Sequence, residues 1–311
     1  MMDIKNILVT GKLYNEFKKA INIDSHRQSF RFIDEEIVSS DDLKWADAYV
    51  NFKPTANFEF HNIKWVHSLG AGVDSFLYEK KWKDDVLLTR TICSFGQRIS
   101  QYCLSYYLKD LQKHDLFQKQ QKANKWQPIT PQLIDGQKTV VYGTGEIGQE
   151  IAKLFSSLGM EVFGVSLSGR NKPYFSKVYS TTTEFDLFSE TDLLINTLPL
   201  TESTDGLFGK KIFDQLNNAV FINVGRGASL IESDLLNSLE KQNIRLAVLD
   251  VFKEEPLPKD NLLWQHNNVV ITPHISAVTT VEEAVSCFLD TLDRIEKNSE
   301  LKNDVDPLRG Y

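Results

Sequence analysis

Three segments of this chain set a reactive side chain directly after an apolar run: Asn223-Val224-Gly225-Arg226-Gly227, Leu249-Asp250-Val251-Phe252-Lys253-Glu254-Glu255-Pro256, and Ile271-Thr272-Pro273-His274-Ile275-Ser276. An arginine between two glycines has little to pack against. Its planar fork suits a carboxylate or a keto-carboxylate pair. The competing reading is a surface arginine in a turn. His274 follows a proline that stiffens its loop, and Glu255 is restricted by Pro256. Taken singly, His274 could be a structural histidine and Glu255 a surface carboxylate. Taken together at successive strand ends, they describe acid–base chemistry. Histidine titrates in the useful range, a nearby carboxylate would raise its pKa and hold its orientation, and a guanidinium would anchor and polarise a carbonyl.

A fourth segment says which reaction. Val140-Val141-Tyr142-Gly143-Thr144-Gly145-Glu146-Ile147-Gly148-Gln149-Glu150-Ile151-Ala152 reads as strand, glycine turn and helix start. Gly143, Gly145 and Gly148 fit GxGxxG in the context it requires. Backbone N–H groups and a positive helix end then face a pyrophosphate. Thr144, Glu146 and Ile147 belong to the same cofactor loop, and Val224 and Gly225 are assigned to the cofactor beside Arg226. In NAD enzymes an acid lies roughly 20 positions further on, where the second strand ends. This chain has Ser166-Leu167-Ser168-Gly169-Arg170 there, with Lys172 beyond. Ser166 and Ser168 can donate hydrogen bonds and Arg170 adds positive charge. NADP is favoured, with NAD possible. A dinucleotide beside a proton donor means hydride transfer to a ketone.

The 311 residues suggest about two domains. A net charge of -7 leaves no surplus of Lys and Arg for nucleic acid. Cys93, Cys103 and Cys287 are few and scattered, which fits a reducing cytoplasm with each as a small buried hydrophobe. No CxxC or Cys/His cluster suggests a metal, and neither a signal peptide nor a membrane-spanning apolar run is expected.

Short apolar runs spaced by helical segments imply parallel sheets. Strands are expected at residues 7–9, 48–50, 64–67 and 86–88. A second set falls at 138–142, 161–166, 193–197, 219–224, 245–250 and 268–272. Between the sets, residues 97–121 carry no glycine or proline and predict one unbroken helix, with Ile99, Cys103, Tyr106, Tyr107 and Leu111 near one face. Residues 123–128 then read as an extended arm whose Trp126 needs a surface to pack on, such as a second subunit. The helix at 146–158 should bury Ile147, Ile151, Leu154 and Leu158 and stop at Gly159. A last helix at 281–297 should return to the first domain. The expected architecture is α/β, with two doubly wound parallel-sheet domains. A Rossmann-type cofactor domain at 99–274 is inserted into a flavodoxin-like substrate domain at 1–98 and 275–311.

These four patterns, in this order and spacing, resemble the D-isomer-specific 2-hydroxyacid dehydrogenases over essentially the whole chain. Ser68-Leu69-Gly70-Ala71-Gly72-Val73-Asp74 and Leu263-Trp264-Gln265-His266 are most similar to the family's glyoxylate/hydroxypyruvate reductase A branch. The resemblance implies that Arg226, Glu255 and His274 are the catalytic triad and that Asp250 holds the nicotinamide carboxamide. It implies that backbone amides at Leu69, Gly70, Ala71 and Gly72 grip the carboxylate of a 2-keto or 2-hydroxy acid. Leu198 and Pro199, in Leu198-Pro199-Leu200-Thr201, match the loop against the adenosine half of the cofactor. It also implies a homodimer, in which Trp126 would find its surface. The chain departs from the branch in two places. NADP-using relatives often carry Arg where Leu167 stands, and the family's usual Ala after His-Ile is Ser276.

Two other functions compete. A corepressor-like dinucleotide sensor would keep the triad but act through partners, and no disordered tail or basic arm is visible for that. A phosphoglycerate-type dehydrogenase would need a further cation, for which Lys53 is the first-domain candidate. No C-terminal regulatory domain is seen.

Overall fold

The computed structural model describes residues 2–182 and 187–310. It divides into two compact units, Met1–Cys93 with Thr279–Tyr311, and Ser94–Val278, against the 98/99 and 274/275 boundaries expected from the sequence.

The first unit begins β1 (Asn6–Val9), α1 (Tyr14–Ala20), β2 (Ser29–Phe32), α2 (Ser40–Trp45) and β3 (Ala48–Asn51). It continues with β4 (Trp65–Ser68), α3 (Asp74–Leu77) and β5 (Leu87–Arg90). The sheet order is β2-β1-β3-β4-β5, with every pair parallel. This is the flavodoxin-like order.

The second unit opens on α4 (Phe95–Leu111) and α5 (His114–Lys122). It then alternates β6 (Lys138–Tyr142), α6 (Glu146–Ser157), β7 (Glu161–Ser166), β8 (Lys177–Ser180) and β9 (Leu193–Asn196). It closes with α7 (Lys210–Phe213), β10 (Ala219–Asn223), α8 (Glu232–Glu240), β11 (Ile244–Leu249) and β12 (Val269–Ile271). The order β12-β11-β10-β9-β6-β7-β8 is again wholly parallel, with the chain reversing direction across the sheet between β6 and β9. That is the dinucleotide-binding order with one added strand, and ligands of such sheets bind at the reversal. Finally α9 (Val281–Lys297) returns to the first unit. A Thr280/Glu283 capping box starts it, and Phe288 and Leu292 pack with Ile7, Val9 and Trp65.

Two strands go beyond the expected set. β2 and β8 both lie at sheet edges and are half-exposed, so they carry no continuous apolar run. The single helix expected over 97–121 is instead two. Lys113 adopts φ 56, in the left-handed region, and starts α5 in a new direction. The reason lies in the apolar pattern. Ile99, Cys103, Tyr107 and Leu111 are buried, whereas in α5 Leu116 is exposed and the buried residue is Gln120. The chain loops out and back, and Gln132 N–H closes the excursion on the Leu111 carbonyl.

The buried face of α6 is also rotated from the expected one. Gly148, Ile151, Ala152 and Phe155 are buried, whereas Leu158 is 36% exposed. Phe155→Ala should therefore cost about 3–5 kcal/mol, and Leu158→Ala less than about 1 kcal/mol. Urea denaturation of the two variants checks the ranking. Of the cysteines, only Cys103 is buried; Cys93 and Cys287 are partly exposed, which corrects the expectation for those two. No described helix is long and apolar enough to cross a membrane.

Candidate active site

The segments singled out in the second unit all follow the carboxyl ends of its strands. Parallel pairing in register brings those ends to one edge. The glycine loop joins β6 to α6. A Cβ on Gly148 would sit 1.9 Å from the Gly143 carbonyl oxygen, so only glycine lets the helix start this close to the turn. Gly145 caps the helix without a side-chain bond, and a Cβ there would meet nothing within 4 Å. An uncapped helix end facing open space fits a pyrophosphate. Thr144 is buried, and Glu146 and Ile147 lie in the first turn of α6. At the end of β7 the Ser166 hydroxyl is buried and has no hydrogen-bond partner among the described residues, while the Ser168 hydroxyl accepts from Arg170 N–H at 3.3 Å. Leu167 is 60% exposed. After β9, Leu198 N–H donates to the Asn196 side chain and the Pro199 carbonyl accepts from Thr204. These residues fit a nicotinamide dinucleotide.

His274 and Glu255 are brought together across 19 residues of sequence. His274 Nδ1 lies 2.8 Å from Glu255 Oε2, and Glu255 Oε1 accepts Phe252 N–H at 2.9 Å. With Nδ1 donating to the carboxylate, Nε2 is the nitrogen that can give a proton away. The contrast with His67 is clear. That ring is wholly buried against Trp65 and Phe288, and burial pushes it down to about 3, so it stays neutral.

Burial pushes the Glu255 carboxyl up, but hydrogen bonds from His274 and Phe252 N–H and the charges of His274 and Arg226 outweigh it. The net position is below the ordinary 4.5. A lowered folded-state pKa stabilises above the ordinary range, and that gain is lost as the pH falls through the lowered value. Glu255→Gln should thus be less stable than the parent at about pH 7, by a margin that shrinks toward about pH 3. Urea midpoints at the two pH values check this; a constant margin would refute it.

Arg226 is half-buried after β10, with Nη1 on the Gly225 carbonyl at 2.8 Å. Its loop is pinned from below. The Asn196 amide donates to Asn223 Oδ1 at 2.9 Å and to Ser229 Oγ at 2.8 Å, and Ser229 Oγ donates to the Arg226 carbonyl at 2.6 Å. All three are wholly buried. A Cβ on Gly227 would lie 1.9 Å from the Phe252 carbonyl carbon, so this loop and the Glu255 segment are pressed together. Val224 N–H pairs with the Asn196 carbonyl and Gly225 N–H with Asn223 Oδ1. Sequence reasoning passed over Asn196 and Ser229. The available signal was an asparagine ending each of two neighbouring apolar strands, Leu193–Asn196 and Ala219–Asn223. Asp250 is wholly buried, and its carboxylate accepts Ile275 N–H at 2.8 Å and Ser276 N–H at 2.9 Å.

In the first unit, Leu69, Gly70, Ala71 and Gly72 follow β4. The four amides are not equivalent. Leu69 N–H is committed to the Asn51 carbonyl, and Gly70 N–H lies 3.3 Å from Ser68 Oγ. Ala71 and Gly72 are the two whose N–H groups remain for a ligand. Arg90, which the sequence did not single out, ends β5 and donates to the Ala71 carbonyl at 2.9 Å. Lys53 is engaged by Glu35 at 3.6 Å.

Sheet order and glycine loop together define a dinucleotide-binding α/β protein. Residues 104–276 match the family model of the D-isomer specific 2-hydroxyacid dehydrogenase, NAD binding domain. The chain is similar to glyoxylate/hydroxypyruvate reductase A of Yersinia enterocolitica, 35% identical over 259 residues, covering 80% of this chain and 82% of that protein. The protein of that name from Citrobacter koseri is 32% identical over 272 residues, covering 85% and 87%. Among solved structures, the NADPH-dependent glyoxylate/hydroxypyruvate reductase of Sinorhizobium meliloti, in complex with NADP and sulfate, has a TM-score of 0.87. It is 29% identical, with 99% of this chain and 100% of that one covered. The chain belongs to the D-isomer specific 2-hydroxyacid dehydrogenase family. It is an oxidoreductase acting on a CH–OH group with a nicotinamide dinucleotide.

Proposed function

We propose that this chain reduces a small 2-keto acid, of the glyoxylate or hydroxypyruvate kind, to the D-2-hydroxy acid with NADPH. The observation that carries this is the His274–Glu255 pair beside Arg226, on the sheet edge that also holds the glycine loop. The curated relatives and the Sinorhizobium meliloti enzyme point to the same substrates and cofactor by their names.

In this reading the bound dinucleotide supplies a hydride to C2 of the keto acid. His274 Nε2 gives a proton to the ketone oxygen, and Glu255 holds Nδ1 so that the ring faces one way. Arg226 polarises the carbonyl and anchors the acid. The Ala71 and Gly72 N–H groups are assigned to the substrate carboxylate, with Leu69 and Gly70 shaping the turn. The glycine loop and α6 receive the pyrophosphate. Leu198 and Pro199 line the adenosine half, and Val224 and Gly225 complete the cofactor contact. Ser166, Ser168 and Arg170 receive the 2′-phosphate. NADH remains usable because nothing there repels it. Asp250 has one acceptor site left on Oδ2 for a carboxamide, since three of about four are taken. The proposal includes a homodimer in the cytoplasm. Trp126 is 100% exposed and Leu133 77% exposed on the excursion after α4, and a second subunit would cover them.

The test is oxidation of NADPH and NADH, followed by absorbance, with glyoxylate, hydroxypyruvate and pyruvate. Turnover with at least one, faster with NADPH, is expected. Cofactor binding without turnover on any 2-keto acid would overturn the enzyme reading in favour of a sensor. Light scattering on the purified protein gives the subunit number.

A further inference from the structure

Three consecutive amides of the His274 loop end on one residue. His274 N–H donates to the Asp250 carbonyl at 2.9 Å, Ile275 N–H to Asp250 Oδ1 at 2.8 Å, and Ser276 N–H to Asp250 Oδ2 at 2.9 Å. The loop needs such a hold, because His274 sits at φ 53, in the left-handed region. A non-glycine residue persists there only when its surroundings over-determine it.

The carboxylate that holds the loop is itself held. Thr272 Oγ1 donates to Asp250 Oδ1 at 2.6 Å, and the Tyr102 hydroxyl lies 2.7 Å from Thr272 Oγ1. A hydroxyl has one proton. Thr272 uses its proton on the carboxylate, so Tyr102 must be the donor to Thr272. The order is therefore Tyr102 to Thr272 to Asp250, with the loop amides arriving from the other side. Burial raises the Tyr102 phenol far above its ordinary value, which keeps it a neutral donor. Tyr102 comes from α4, packed edge-on against Tyr106, so the chain ties the loop to a long helix.

We propose that Tyr102 and Thr272 are positioning residues for His274, acting through the Asp250 carboxylate. The inference rests on His274 being the proton donor. Remove the Thr272 hydroxyl and Oδ1 keeps only the Ile275 N–H. The carboxylate can then turn, and the Ile275 and Ser276 N–H groups that set the loop directly after His274 lose a fixed acceptor, while His274 N–H stays on the Asp250 carbonyl. Remove only the Tyr102 hydroxyl and Thr272 still reaches Asp250, but its oxygen is free to rotate. The effect should be graded accordingly.

The experiment compares Tyr102→Phe, Thr272→Val, Thr272→Ser and His274→Ala, with glyoxylate and NADPH at saturation. Tyr102→Phe should lower kcat about 5-fold and Thr272→Val about 10- to 100-fold, because small misplacements of a reacting group are costly. KM for glyoxylate should stay within about 2-fold, since neither hydroxyl is assigned to the substrate, and Kd for NADPH should weaken by less than kcat falls, because the carboxamide contact to Asp250 is one of many holding the dinucleotide. Thr272→Ser, which keeps the hydroxyl, should restore kcat to within about 3-fold of the parent. The solvent deuterium isotope effect on kcat should rise in Tyr102→Phe, as proton transfer becomes more rate-limiting. If Thr272→Val fails to fold, Tyr102→Phe alone decides. The proposal is overturned if Tyr102→Phe keeps parental kcat and isotope effect while His274→Ala is inactive. It is equally overturned if the losses fall on NADPH affinity alone, with kcat at saturation parental. Retained turnover in His274→Ala would instead remove the proton-donor reading on which the proposal stands.

Discussion

His274→Ala should lower kcat for 2-keto-acid reduction by about 10²- to 10⁴-fold, the range for loss of a positioned general acid. Dinucleotide affinity should change little, because in the proposed reading the glycine loop and the start of α6 hold the pyrophosphate through backbone amides, without the imidazole. The geometry makes the separation sharp. His274 Nδ1 is taken by Glu255 at 2.8 Å, which leaves Nε2 as the nitrogen for the proposed proton transfer. Its backbone is held by Asp250, so an alanine at 274 leaves the loop anchored through Ile275 and Ser276 N–H. Stopped-flow or steady-state NADPH oxidation gives kcat, and fluorescence titration gives Kd for NADPH. Near-parental turnover would show that another group supplies the proton.

Arg226→Lys should also lose about 10²- to 10³-fold in kcat/KM, although the charge is kept, by analogy with removal of a single oxyanion-stabilising donor. A guanidinium presents several donors in a planar fork, so it can meet a carbonyl oxygen and a carboxylate at once; an ammonium acts as a point charge. The loop strengthens this expectation. The Arg226 carbonyl is fixed by Ser229 at 2.6 Å, and Gly227 is pressed against the Phe252 backbone. The backbone therefore cannot shift to bring a lysine ammonium into the place of the fork. The loss should appear in both kcat and KM, because the proposed role gives one group both the anchoring and the polarising. A variant with parental KM and kcat would place Arg226 outside the substrate contact.

Much of the architecture was legible because parallel strands buried on both faces are near-continuous apolar runs. Val140, Val141 and Tyr142 announce β6, and Ala219–Asn223 announces β10. The strands that escaped, β2 and β8, are edge strands with polar faces. The break at Lys113 escaped because a lysine in the left-handed region leaves no mark in sequence. The rotated face of α6 follows from Gly148. Its missing side chain lets the helix seat on the turn, and Phe155 rather than Leu158 then points inward.

The candidate site divides along the same line. Gly143, Gly145 and Gly148, the strand-end Arg226, Glu255 and His274, and the lack of an acid after β7 are local facts, because each depends on a residue type at a fixed offset from a strand. Sequence alone therefore determined the fold class and the family. The supports depend on residues far apart in the chain meeting in space. Asn196 reaches Ser229 across 33 residues, and Tyr102 reaches Thr272 across 170. A hydrogen bond of that span has no period and no spacing rule, so only the tertiary structure could decide which hydroxyls and amides hold Arg226 and His274 in place.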